Sequence, residues 1–108
     1  MVCDGDRFYS LSTLLEILIV ERAHALHLHP GERPVVEAAR NLFQVSGPPI
    51  ESGDTETLLR QVAAKDEFRE FQSARRVSCY HHVPGKGWFN VMAFRELEHI
   101  RLEIRAIR

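Results

Sequence analysis

Five histidines fall in two short clusters, His24, His27 and His29 early in the chain and His81 and His82 late. Imidazole suits Zn²⁺, and the clusters would share one ion if the strands that carry them were neighbours. No CxxC or HExxH spacing accompanies them, so they are read as solvent-facing strand residues with no metal. Cys79 stands two residues before His81, which puts thiol and imidazole on one side of a strand. A nucleophile pair needs a third group to orient the base, and the sequence offers none; Cys79 is expected to be a buried structural cysteine. Pro84-Gly-Lys-Gly87 sets a lysine between glycines, but the chain has no G-x-x-x-x-G-K-[ST] and no helix pattern follows. Without amides at a helix start and a lysine on the phosphates, nothing holds ATP for in-line attack. The expectation is no ATPase activity from this chain alone, no catalytic residue and no cofactor. Arg75, Arg76, Arg95, Arg101, Arg105 and Arg108 supply guanidinium forks for phosphate or for a partner's carboxylates. The plainer reading of Arg101-Leu-Glu-Ile-Arg105 is a solvated strand face on which Glu103 neutralises its neighbours.

The elements that position these groups follow from periodicity. Trp88 to Phe94 is apolar on both alternating faces, with Trp88, Met92 and Phe94 on one and Phe89, Val91 and Ala93 on the other. That pattern predicts a strand covered on both sides, with Trp88 in the core. Ile100, Leu102, Ile104 and Ala106 alternate with Arg101, Glu103 and Arg105, a half-buried strand with a wet outer face. With Val77–Val83 these form an antiparallel meander turned at Pro84-Gly85. Upstream, Leu14, Leu15, Leu18 and Ile19 space as one helical face to about Arg22, capped by Ser10, Ser12 or a Thr13/Glu16 box. His27 and His29 lie on one side of a short strand, Leu26 and Leu28 on the other. Pro34–Val45 fits a helix or a hairpin joined at Arg40-Asn41, and periodicity alone leans to helix. A second helix starts at Asp54 or Thr55 and buries Leu58, Leu59, Val62 and Ala63; a third carries Phe68 and Phe71.

One domain of 108 residues, 44% apolar and 27% charged, buries roughly two-thirds of its unfolded surface and is not disordered. A net charge of −1 argues against a nucleic-acid partner. The longest apolar run, Ile17–Val20, excludes insertion in a membrane. Asp4 and Asp6 stand where a signal peptide carries positive charge, and Cys3 and Cys79 are too few for a disulfide scaffold. A cytoplasmic protein with reduced thiols is the expectation.

Several segments resemble, in order, the N-terminal domain of the type IV pilus retraction and type II/IV secretion ATPases, the PilT-like family. That family has a leucine-rich helix, then S-D-L-H-L-x-x-G-x-P-P and V-I-R-V-x-G. This chain has Ser12-Thr-Leu-Leu-Glu16, then His24-Ala-Leu-His-Leu-His-Pro-Gly-Glu-Arg-Pro34 and Val35-Val-Glu-Ala-Ala39. A two-proline loop, a T-x-E-L-L helix and an F-x-x-F helix follow in the family, and Gly47-Pro-Pro49, Thr55-Glu-Thr-Leu-Leu59 and Phe68-Arg-Glu-Phe71 match them. Its closing P-G-x-x-R-F-R-V-N-x-F…F-R-x-I is met by Pro84-Gly85, Trp88–Phe94 and Ile104-Arg-Ala-Ile107. The resemblance spans about Ser10 to Ile107, leaving residues 1–9 as an N-terminal extension of a single domain.

What the resemblance implies is an α+β, PAS-like fold, mainly an antiparallel sheet with about three helices, in which Pro34–Val45 is a hairpin. It implies a non-catalytic assembly or regulatory domain that contacts the ATPase domain of a neighbouring subunit in a hexameric ring. It further implies interface or nucleotide-proximal roles for Arg95, Arg101 and Arg105. The departures are specific: Ala25 replaces an aspartate, and Asn90 and Met92 replace the arginine and asparagine of F-R-V-N. Homo-oligomerisation is the associated expectation, and both a fragment of a motor and a stand-alone relative fit. The alternative is a stand-alone PAS-like interaction or small-ligand sensor module.

Overall fold

Ser10, rather than Ser12 or Thr13, caps the first helix, α1 (Leu11–Val20): its Oγ accepts the Thr13 amide at 3.2 Å. The computed structural model describes residues 9–39 and 41–107. Residues 1–8, most of the expected extension, lie outside the described residues; Tyr9 is in the core, its hydroxyl donating to the Pro48 carbonyl at 2.6 Å. α1 ends in a paired closure, Ala23 N–H to Leu18 O at 2.9 Å and Arg22 N–H to Ile19 O at 3.2 Å. Arg22 sits between them at φ 53°, the left-handed position that glycine usually holds.

After α1 come β1 (Ala25–Leu28), β2 (Val35–Ala38) and β3 (Asn41–Gln44), then α2 (Ser52–Val62), α3 (Lys65–Ser73), β4 (Arg76–Val83), β5 (Gly87–Glu96) and β6 (His99–Ile107). All six strands form one antiparallel sheet in the order β3-β2-β1-β6-β5-β4. The α+β class and the closing meander are as expected. Pro34–Val45 is the hairpin, not the helix that periodicity favoured. Its joint falls one residue earlier than expected: Ala38 faces Asn41, and the left-handed residue is Ala39 at φ 43°. α2 also starts earlier, with Glu51 at the N-cap and the Asp54 carboxylate accepting the Glu51 amide at 2.9 Å.

All three helices lie on one face of the sheet. α1 packs on β1 and β6, α2 on β4, β5 and β6, and α3 on β4. The core between the layers holds Leu14 and Leu18 of α1, Leu59 of α2, Phe71 of α3, and Phe89 and Leu102 of the sheet, all essentially without solvent contact. The other face of the sheet carries no element of the described chain.

Candidate interaction surface

That uncovered face can be laid out from strand register. One row across the sheet runs Leu42, Glu37, Ala25, Arg105, Asn90, Tyr80; the next runs Gln44, Val35, His27, Glu103, Met92, Ser78. Beyond the first row lie Ile107, Trp88 and His82, and beyond the second Arg101, Phe94 and Arg76. β5 is therefore covered on one side only, contrary to the expectation from its pattern. Trp88 is a surface residue, 51% exposed, with its ring 4.8 Å from His82, and Tyr80 is 62% exposed. The wetness of this face was legible in its neighbours: Ser78, Arg76, Arg101, Glu103 and Arg105 share it, and only β5 hid the fact.

The polar groups of the face are tied to one another. Arg101 lies over the Phe94 ring at 4.1 Å and donates to Glu96 at 3.1 Å, and Arg105 donates to Glu103. Asn90 Nδ2 donates to Ser78 Oγ at 2.8 Å. His27 joins three strands, with Nε2 3.0 Å from Glu37 and Nδ1 3.8 Å from Glu103. The hydrogen bond from His27 holds the Glu37 carboxyl below its usual range, against a smaller opposing effect of burial. Beside it a shallow groove of about 500 Å³ runs between His27, Glu32, Val35, Glu37 and Leu42.

The three arginines do not share a surface. Arg101 and Arg105 lie on the open face, whereas Arg95 lies on the helix side, its guanidinium 4.5 Å from the Phe71 ring centre and donating to the Phe71 carbonyl at 3.5 Å. Arg95 Nε is buried with no hydrogen-bond partner among the described residues. Arg95 thus closes the C-terminal end of α3.

The histidine clusters do not converge, because β6 and β5 separate β1 from β4 and His81 points to the opposite side from His27. Among the described residues no three His, Cys, Asp or Glu side chains are placed to hold a metal. Cys79 is fully buried, and burial first, then Glu67, pushes its thiol up to about 12, so it is protonated at neutral pH. The His27–Glu37 pair has the look of a base and its orienter, but Ser78 stands three strands away, about 14 Å. Pro84–Gly87 is the β4–β5 turn, with Gly85 at φ 81° and Gly87 at φ 113°, and Lys86 is held by Glu16 at 2.9 Å. What the face can do chemically is recognise: exposed aromatics flanked by arginines are the composition of contact surfaces.

No protein-family profile matches the sequence, and no curated protein does. Solved structures do match. The crystal structure of the pilus retraction motor PilT with bound ADP superposes with TM-score 0.83 at 19% identity, covering 93% of this chain and 29% of that one. The Legionella pneumophila ATPase DotB gives TM-score 0.75 at 16% identity over 90% of this chain and 28% of its own, and the Yersinia pseudotuberculosis DotB gives 0.64 at 12% over 94% and 31%. The fold is therefore that of one part of these ATPases, and this chain spans under a third of their length. No helix among the described residues is long and apolar enough to cross a membrane.

Proposed function

We propose that this chain is a non-catalytic assembly or regulatory domain of a pilus or secretion motor ATPase, working in the cytoplasm and contacting a neighbouring subunit of a ring. The observation that carries the reading is the match of nearly the whole chain, at TM-score 0.83, to under a third of a retraction motor. The motif order from Ser12 to Ile107 supports it independently of the coordinates. In this reading catalysis belongs to an ATPase domain outside these 108 residues, and the chain's own Lys86, engaged with Glu16 in a turn that feeds a strand, takes no part in it. Of the three arginines the resemblance points to, Arg101 and Arg105 lie on the uncovered face, available to a neighbour; Arg95 serves the fold.

Native mass in the source cell tests the proposal. The expected result is that antibody against this domain finds it in a ring-sized assembly that hydrolyses ATP, either within a chain well above 12.4 kDa or bound to one. A 12.4 kDa species sedimenting alone, with no ATPase in its fractions, sinks it. The small-ligand alternative is answered by thermal shift: stabilisation by a nucleotide or cyclic dinucleotide would favour a sensor, and no shift favours the assembly domain.

A further inference from the structure

The uncovered sheet face meets a copy of itself better than it meets a partner of single-signed charge. Arg76, Arg101 and Arg105 on it are balanced by Glu37, Glu96 and Glu103, so no strongly acidic or basic surface is selected. The charges are also unevenly placed. The three arginines lie on β4 and β6 with Glu96 and Glu103 on β5 and β6, which leaves that half one positive charge in excess, and Glu37 on β2 gives the other half a negative one. We propose that two copies of this chain pack open face to open face about a twofold axis that runs along the strands between β1 and β6. That axis lays β3 over the partner copy's β4, β2 over its β5 and β1 over its β6.

Register then decides what meets what. In the first row Leu42 lies over Tyr80, and the long Arg105 lies over the small Ala25, within a strand spacing of Glu37. In the second, Val35 lies over Met92, Gln44 over Ser78 and His27 over Glu103. One row out, Trp88 covers the β2–β3 turn at Ala39. Apolar meets apolar, large meets small and base meets acid, each contact made twice by symmetry. Two sheets packed this way sit about 10 Å apart and rotate by about 30°, so register holds best at the central β1 and β6 and relaxes outward. The axis lays each four-residue strand on one of eight to ten, so the overlap is about four residues on each of six strands, roughly 380 Å² in projection. With side-chain relief and the flanking turns this stays at the small end of interface sizes, below the ~800 Å² per partner of an ordinary one, which points to a weak, reversible dimer. The inference concerns this chain on its own, with the open face not taken by a ring neighbour, and so does not depend on the motor reading.

Sedimentation velocity of the 108-residue chain over about 1–500 µM tests it, together with the emission of Trp88, the only tryptophan. The expected result is a monomer–dimer equilibrium with Trp88 emission moving to the red on dilution. Val35 and Met92, nearer the axis where register holds, are half-exposed and can change without unfolding the monomer. Val35→Lys or Met92→Glu alone is expected to weaken dimerisation at least tenfold, and the double variant, which places Lys opposite Glu across the axis, to recover most of it. A monomer at every concentration overturns the proposal and leaves the face to a different partner. A dimer with concentration-independent Trp88 emission, or single variants not rescued by the double, overturns the packing. Loss of the dimer says nothing against the motor reading, which stands or falls on the native mass.

Discussion

Phe89 and Phe94 lie five residues apart on β5 but on opposite faces, and that decides what each is worth. Phe89 is 1% exposed under the helices, so Phe89→Ala is expected to cost about 3–5 kcal/mol in chemical denaturation. Phe94 is half-buried, with the Arg101 guanidinium over its ring, so Phe94→Ala is expected to cost about 1–2 kcal/mol. Equal losses would mean that the open face is as tightly packed as the core. Glu37 supplies a pH dependence at the same scale. Its folded carboxyl titrates below the ordinary glutamate range, chiefly through the His27 hydrogen bond. A depressed carboxyl contributes stability that is present above the unfolded value and lost as pH falls through the folded one. Glu37→Gln is therefore expected to lower stability near neutral pH and to converge on the parent as pH falls through the ordinary glutamate range and then through the lower folded value. A gap that widens in acid would reverse the sign of the linkage. The effect is expected to be small, because the Glu37 side chain is 39% exposed and screened.

At the scale of elements, the end of α1 shows what pattern reading catches and what it misses. Leucine spacing placed the helix to within two residues, since apolar periodicity follows directly from which side faces the sheet. The stop was not legible, because Arg22 takes the left-handed conformation with no glycine to announce it. A left-handed L-residue costs about 1–2 kcal/mol, so Arg22→Gly is expected to raise stability by about 1 kcal/mol, measured by thermal or urea unfolding. A loss would mean that the arginine side chain makes contacts that outweigh its backbone strain. The β2–β3 hairpin failed periodicity for a related reason. Its four-residue strands are too short to show alternation against helical spacing, and Ala39 holds the turn where a glycine or asparagine would have marked it. β5 misled in the opposite way. Its two apolar faces implied two covers, and only the polar residues registered beside it on β4 and β6 reveal that the described chain provides one.

For the molecule as a whole, the joint that matters is the pairing of β1 with β6. The meander β4–β5–β6 was legible because its turns and alternation are local. That β1 adds to the β6 edge was not, since no alternation pattern states which edge a distant strand will join. The pairing puts Leu26 opposite Ile104 and Leu28 opposite Leu102, residues more than seventy positions apart, and it links the β1–β3 half of the sheet to the β4–β6 half. α1 crosses the same seam by packing on both strands, so both layers depend on it. The β1–β3 half has no helix but the shared α1. The meander, though covered by α2 and α3, loses α1 from β6 when the seam opens, so unfolding is expected to be a single cooperative transition. Leu102, fully buried at the seam, is the residue to remove: Leu102→Ala is expected to cost about 2–5 kcal/mol. In native-state hydrogen exchange the amides of β2 and β5 are then expected to lose protection by the same amount, because neither survives opening of the seam. Selective loss in β1–β3, with β4–β6 unchanged, would show instead that the meander and its helices fold as an independent unit to which the first hairpin merely docks.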